Sequence, residues 1–439
     1  PARARRQRAI QPESGDGLQR KADHVVAQPG QASRLRDSSV PATLSVFSAF
    51  TLINRAMKPS SALPLQQSLA IAGGTPTVRV SGATPESFAR LAATEASATP
   101  FQSARWVRAF LESHGVSDQC RLIELTNEQG STLLLPLLLT RRAGMTFAEK
   151  IGGAHASYFV PGCTGDMLGW PRFALSTGLK VAGQLAGIDA YLLADCPSDW
   201  NHSASPLNAL PHQMSPDVGA ILVIDSDGET LLSQLSDRDD RKKLRQKRNK
   251  LATLGELHTG WVDPADIAGT LAAFYQWKAT QFAEMGIRDP FAEPAFRRFL
   301  DGATAGDEAP IRLFVLRAGE RPLAVIGGAH SGVHFSGMFT AYDPAPEIAR
   351  YSPGEVLIAA LIPALCDADF AGFDLGVGEA RYKAHYCPTR LNLLDIALPV
   401  TWRGWLAARQ WRAARAAKRA IKQNGALFDF FKRARRRLG

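Results

Sequence analysis

The 439-residue sequence contains no apolar run of the roughly eighteen residues that a membrane-crossing helix needs. Its longest apolar stretches, 133–139 and 356–365, suit a buried strand and a buried helix. Cysteine is scarce: five scattered residues, odd in number and without a Cys-x-x-Cys pair, which argues against a disulfide framework. They read as reduced structural residues of a cytoplasmic chain. No Gly-x-Ser-x-Gly elbow occurs, which argues against an α/β-hydrolase. His155, His330, His334 and His385 show no ligand spacing on one element, so no metal site is expected.

Acidic residues are also missing where basic ones gather. Residues 402–439 hold 12 Lys/Arg and 1 Asp/Glu, and residues 1–56 hold 9 and 4. The body between them is net negative, with 30 basic and 36 acidic residues. The high overall charge therefore belongs to the ends and does not make the body a nucleic-acid binder. Residues 1–42 lack apolar periodicity and read as disordered. The first Met is Met57, so 1–56 reads as a dispensable leader or a mis-assigned start, and 1–76 is expected to lie outside the folded body.

What is present alternates between helical and strand periodicity. In the first half, helices are expected at 85–91, 104–114 and 173–188, with Gly115 stopping the second. Strands are expected at 121–126, 132–140, 147–153, 191–194 and 221–224, and 194–216 reads as Pro-rich surface loop. In the second half, Asp263-Pro264 suggests a capped helix start running to about 284. Strands at 311–317, 322–328 and 333–341 precede a helix at 353–367, then strands at 372–375 and 391–398. A strand–turn–strand unit after a helix occurs in both halves, and Gly-Gly-Ala-His appears at 152–155 and 327–330. This pattern predicts an α/β (α+β) fold of two similar lobes, 77–230 and 231–400, each a mixed sheet with flanking helices, followed by a basic amphipathic tail at 401–439.

Two stretches can carry chemistry. In Tyr351-Ser352-Pro353-Gly354-Glu355, Ser352 and Glu355 have the spacing of a capping box, and Pro353 fits a first helical turn. Backbone N–H groups opened by Gly354, with the helix dipole, can hold a phosphate or a thioester oxygen. The run Asp374-Leu375-Gly376-Val377-Gly378-Glu379-Ala380-Arg381-Tyr382-Lys383 ends a strand on a carboxylate and opens the backbone with two glycines. Asp374 or Glu379 can accept a proton from an attacking amine or hydroxyl, or orient it, and Lys383 can hold an anion or a developing oxyanion. The plain alternative for both stretches is a well-made helix start and a solvated glycine turn.

Together these stretches resemble the GNAT-fold acetyltransferases of the cellulose-biosynthesis CelD/BcsL type, which are related in fold to the Fem-type aminoacyltransferases. The resemblance covers about 97–400. It also includes Phe101-Gln102-Ser103-Ala104-Arg105-Trp106 and the basic segment from Arg241 to Arg248. It implies two GNAT-like lobes and an acyltransferase that uses acetyl-CoA as donor, without a metal. The reaction would be direct N- or O-acetyl transfer to a cell-envelope or exopolysaccharide sugar or a related metabolite. Asp374, Glu379, Tyr382 and Lys383 would be catalytic, with Tyr382 protonating the leaving thiolate. Arg350, Ser352, Gly354 and Glu355 would bind the donor. The family's Gln/Arg-x-x-Gly-x-Gly/Ala phosphate loop is absent in that form, and Arg350–Gly354 stands in its place.

Trp277 and Lys278, with Gln281, fall on one helix that can face an acceptor pocket between the lobes. Arg241, Arg245 and Arg248 share one face of a helix, with Leu244, Leu251 and Leu254 suggesting an opposite one; the cations can hold phosphates or remain solvated. The rival functions are a Fem-like enzyme using aminoacyl-tRNA and a non-catalytic member of a polysaccharide-synthesis complex. In the tail, Trp402, Trp405, Leu406, Ala413, Ala417 and Ile421 form an apolar stripe, and Arg412, Arg415, Arg419 and Lys422 a basic one. Phe428, Phe430 and Phe431 follow among further cations. Such a helix docks on the second lobe, binds RNA, or lies on an anionic membrane surface, the last of which would place a cytoplasmic protein at the inner face of the membrane.

Overall fold

The computed structural model describes residues 66–69, 76–166 and 170–424. Most of the expected leader, and the segment containing Phe428, Phe430 and Phe431, lie outside the described residues. The first half forms β1 (Gln66–Leu69), β2 (Thr77–Ser81), α1 (Pro85–Ala92), α2 (Ala104–His114), β3 (Cys120–Thr126), β4 (Thr132–Arg142), β5 (Met145–Lys150), β6 (Gly162–Thr164) and α3 (Arg172–Leu185). Then come β7 (Ala190–Pro197), β8 (Asp199–Trp200), β9 (Ser203–Ala204), β10 (His212–Met214) and β11 (Gly219–Val223). The second half forms α4 (Gly228–Leu235), α5 (Arg238–Leu251), β12 (Leu257–Trp261), α6 (Ile267–Met285), α7 (Pro294–Ala303), β13 (Ile311–Ala318), β14 (Arg321–His330) and β15 (His334–Tyr342). It ends with α8 (Pro346–Ala349), α9 (Pro353–Asp367), β16 (Gly372–Asp374), α10 (Arg381–Tyr386), β17 (Thr389–Leu391), β18 (Leu393–Pro399) and α11 (Trp402–Gln423).

Local chemistry sets many of these ends. Ser103 accepts a hydrogen bond from the Trp106 N–H and starts α2; Gly115, at φ +64°, takes the left-handed conformation that ends it. Asp227 and Asp237 cap α4 and α5 in the same way. Asp263 does not cap: a 3-10 turn at Pro264–Asp266 intervenes, and α6 begins at Ile267.

Apart from the two-stranded β8-β9 hairpin, the strands assemble into two mixed sheets, as the α/β expectation requires. The first has the order β1-β2-β3-β4-β5-β7-β18-β10, with β6 on β4; the second is β12-β13-β14-β15-β16-β11-β17. Two strands cross between the halves of the sequence. β11 precedes residue 230 yet pairs with β16 and β17, while β18 follows β17 yet pairs with β7 and β10. Periodicity identifies a strand but not its partner, and both partnerships span more than a hundred residues. β15 and β16 run parallel with α9 as their crossover, the connection a parallel pair requires.

The sides of the two sheets meet in a continuous apolar core. Trp106 and Phe110 of α2 pack edge-on against Phe299 of α7, with ring centroids 5.4 Å apart in both pairs. Phe274, Trp277, Phe291 and Phe296 extend this cluster, and Tyr158 and Trp200 join it from the first half. On the other side of the second sheet, Leu357, Leu361 and Leu365 of α9 pack on Phe314, Phe335 and Phe373. Burying such side chains contributes about 1.5–3 kcal/mol each.

α11 lies against β7 and β18 of the first sheet, not on the second. Ala408 is buried among Phe147, Leu192 and Ala397, and Trp411 packs on the same cluster. Further along this face, Arg415 donates to both oxygens of Asp395 at 2.6 Å and to Asp195 at 2.7 Å. Lys418 and Lys422 both pair with Asp217. The expected basic face is therefore divided: Arg415 and Lys422 point inward to carboxylates far away in sequence, and Trp402, Trp405 and Leu406 of the expected apolar stripe point outward, 74%, 47% and 48% exposed. Gly404 makes this docking possible, because a Cβ there would fall 1.8 Å from the Asp189 carbonyl oxygen. Gly404→Ala is expected to destabilise the protein by about 1–3 kcal/mol, the usual range for an overpacked contact, measured as a lower urea midpoint.

Candidate functional site

The site begins where β15 and β16 part. They pair over His334↔Gly372, Phe335↔Phe373 and Ser336↔Asp374; β16 then ends, while β15 continues to Tyr342. After Asp374 the chain turns through Gly376 at φ +76° and Gly378 at φ +113°. Both conformations favour glycine, and a Cβ on Gly376 would also lie 2.9 Å from the Ser157 hydroxyl. The Gly378 N–H donates to the Val218 carbonyl, which ties the turn to the residue before β11.

Asp374 sits under this turn and is fully buried. One carboxylate oxygen accepts from Ser336 Oγ at 2.5 Å and lies 2.8 Å from His334 Nε2; the other accepts the Gly376 N–H at 2.7 Å. Three partners at this distance define a carboxylate that organises its surroundings. Both of its oxygens are taken up by partners within the protein. Trp200 stacks obliquely on His334 at 4.5 Å, and Tyr158, its acidity suppressed by burial and then by the Asp374 carboxylate, closes the same side. Sequence reasoning missed both aromatics because 194–216 reads as loop and 156–161 falls in no expected element. The available signal was a Trp inside a Pro-rich segment, where a large ring is an anchor more often than a surface group.

Lys383 is 4% exposed, and its Nζ donates to the carbonyls of Val377 at 3.1 Å and Gly376 at 3.4 Å. These two hydrogen bonds brace the glycine turn from within. Burial pushes its pKa down to about 8. A pKa below that of a free lysine means that the fold favours the neutral amine, which still donates to both carbonyls, so stability is expected to rise as pH rises above about 8. Lys383→Met should remove this rise from the pH dependence of the urea midpoint. Tyr382, beside it on α10, is partly buried against the α9 cluster, and burial raises its pKa to about 12, so the phenol keeps its proton at neutral pH. Glu379 is exposed at the entry to α10.

The start of α9 adjoins these groups. Tyr386 of α10 donates to the Glu355 carbonyl at 3.4 Å. The expected capping box does not form. Ser352 is left-handed, at φ +51° and ψ +59°, and its side chain makes no cap. Glu355 instead accepts from Lys247 of α5 at 2.5 Å. Pro353 has no N–H, and those of Glu355 and Val356 donate to the Ser352 carbonyl, so the first-turn amide left to meet a ligand is that of Gly354. A Cβ on Gly354 would approach only Tyr342, at 3.7 Å, so the space beside this residue is open. Arg350 is exposed, its guanidinium 4.7 Å above the Tyr351 ring.

The remaining expected binding residues lie elsewhere. Arg241 and Arg245 are exposed on α5; Leu251 is buried beneath that helix but Leu254 is 40% exposed, so the apolar face ends at Leu251. Trp277 belongs to the core between the sheets. Lys278 is 8% exposed, donates to Gln281 at 3.0 Å and lies 5.6 Å from the Phe291 ring centroid, and burial pushes its pKa down to about 8. Both side chains are thus buried in the structure. Among the described residues, no group of three or more His, Cys, Asp or Glu is placed to hold a metal.

Residues 238–384 match the family model described as Acetyltransferase (GNAT) domain. The match begins with α5 and ends inside α10, so it encloses the parting strands and both helix starts. Among solved structures, FemX is similar over 73% of this chain and 98% of its own, at 11% identity and a TM-score of 0.52, a likeness in fold. A conserved protein of unknown function from Bacteroides thetaiotaomicron matches over 71% of this chain and 97% of its own, at 12% identity and a TM-score of 0.45. A GCN5-related N-acetyltransferase from Sphaerobacter thermophilus matches over 73% and 96%, at 12% identity and a TM-score of 0.32. No curated protein matches in sequence.

Proposed function

We propose that the parting of β15 and β16 is the centre of an acyltransferase that moves an acetyl group from acetyl-CoA to an amine or hydroxyl of a cell-envelope or exopolysaccharide sugar or a related metabolite. The observation that carries this reading is the parallel pair that stops at Ser336↔Asp374 while β15 runs on, so that the edge of β15 from Gly337 to Tyr342 has no strand partner on that side. An open edge offers backbone donors and acceptors to an extended, amide-containing ligand such as the arm that carries a thioester. The Gly354 amide and the positive end of α9 suit the donor's phosphate oxygens, with Arg350 and Lys247 as nearby cations. The match of residues 238–384 to the acetyltransferase domain supports the same assignment.

The thioester supplies an activated acyl carbon; the chain's residues do the rest. Glu379 is the exposed carboxylate beside the turn and takes the proton of the attacking amine or hydroxyl. Tyr382 gives its proton to the departing sulfur and regains one from solvent, to which Glu379 releases the proton it took. Asp374, Ser336, His334 and Lys383 hold the turn that aims Glu379 and Tyr382. The alternative donor is an aminoacyl-tRNA, favoured by the exposed cations Arg241 and Arg245. Thermal-shift titration separates the two. Acetyl-CoA should raise the melting temperature with concentration, and aminoacyl-tRNA should not. The reverse pattern would replace the donor, and no response to either would favour a non-catalytic role.

A further inference from the structure

We infer that the outward face of α11 rests on an anionic membrane surface. This goes beyond the acyltransferase reading and does not depend on it. The helix has two distinct long faces. One, at Gly404, Ala408, Trp411, Arg415, Lys418 and Lys422, is spent on docking to the first sheet. The other carries Trp402, Trp405 and Leu406, which are among the few large apolar side chains left exposed in the described residues, clustered within the first two turns.

Cations frame this cluster. Arg409 holds its guanidinium 4.8 Å above the Trp405 ring, and Arg403 and Arg412 are exposed beside it. No Asp or Glu occurs anywhere from 402 to 424. The inward cations already have carboxylate partners, Asp195, Asp395 and Asp217, so the docked face needs no outside anion. The outward arginines have no such partners on their own helix. A surface that offers indole and leucine to an apolar layer and arginine to anions at the same depth fits the headgroup boundary of an anionic bilayer. The helix is fixed on a rigid sheet, so it would lie flat without a separate folding step. No described helix is long and apolar enough to cross a membrane. A nucleic acid fits less well, because the two indoles and the leucine share one convex face instead of lining a groove along a strand path.

Full-length protein is to be sedimented with phosphatidylglycerol-containing vesicles and with phosphatidylcholine vesicles. Three variants accompany it: Trp402→Ala with Trp405→Ala and Leu406→Ala; Arg409→Glu with Arg412→Glu; and a chain ending at Asn424, which removes the terminal cations. The expected result is binding to the anionic vesicles only, weakened by salt. The apolar triple variant and the charge-reversal variant should each lose it about ten-fold or more, with unchanged melting temperatures because the altered side chains are exposed. Equal binding of the wild type and the triple variant would overturn the inference. So would loss confined to the chain ending at Asn424, a dimer that the triple variant dissolves, or binding of a single-stranded RNA oligonucleotide in place of vesicles.

Discussion

Replacing Arg415 by methionine is expected to lower the unfolding free energy by about 3–5 kcal/mol, the cost of leaving a buried charge without its partner. Arg415 is 16% exposed at its side chain, and Asp395 is completely buried. The guanidinium meets both Asp395 oxygens and also Asp195 and Ser215, a fork geometry that an ammonium cannot copy. Without it Asp395 has no cation, and Asp195 keeps only Lys150, at 3.4 Å. Urea unfolding should show a lower midpoint with an unchanged slope. Adding Asp395→Leu to the methionine variant should recover part of the loss, because an apolar pair has no charge to desolvate. If the single variant unfolds like the wild type, α11 is not held as described.

Glu379→Gln is expected to reduce turnover by about 10²–10⁴-fold, the usual contribution of a general base, with little change in donor affinity or melting temperature. The amide keeps the shape of an exposed side chain and removes only its capacity to take a proton. Asp374→Asn should behave differently. It places an N–H₂ group where a carboxylate oxygen now accepts from a hydroxyl, an imidazole or an amide, so both stability and turnover should fall together. A pair of variants that both reduce rate, only one of which reduces stability, separates the base from the residue that positions it. If Glu379→Gln retains the wild-type rate, the proton acceptor lies elsewhere.

Much of the fold was legible because its signals are local. α2 and α9 begin and end where the sequence placed them, the first set by Ser103 and Gly115, the second by Pro353. The meander β13–β14–β15 followed from β-branched and aromatic runs separated by turns. What failed was non-local. The capping box at Ser352 was overridden by Lys247, which comes from a helix more than a hundred residues earlier and takes the Glu355 carboxylate. α11 showed its amphipathic pattern, but the pattern could not say which face docks. Asp195, Asp217 and Asp395 choose that, and each lies in a segment with no helical signal of its own. At the site, the Asp374–Lys383 run was visible as unusual chemistry. That Lys383 turns inward to carbonyls, and that Tyr158 and Trp200 close over His334, depends on the packing of the two sheets.

The central claim is acetyl transfer at the parting of β15 and β16. Its most direct test is thiol release from acetyl-CoA in the presence of amino and hydroxyl sugars, followed by mass detection of the product. The account predicts release that requires an acceptor, yields an acetylated sugar and is nearly abolished in Glu379→Gln. No thiol release with any acceptor, together with a melting temperature that acetyl-CoA does not move, would contradict it.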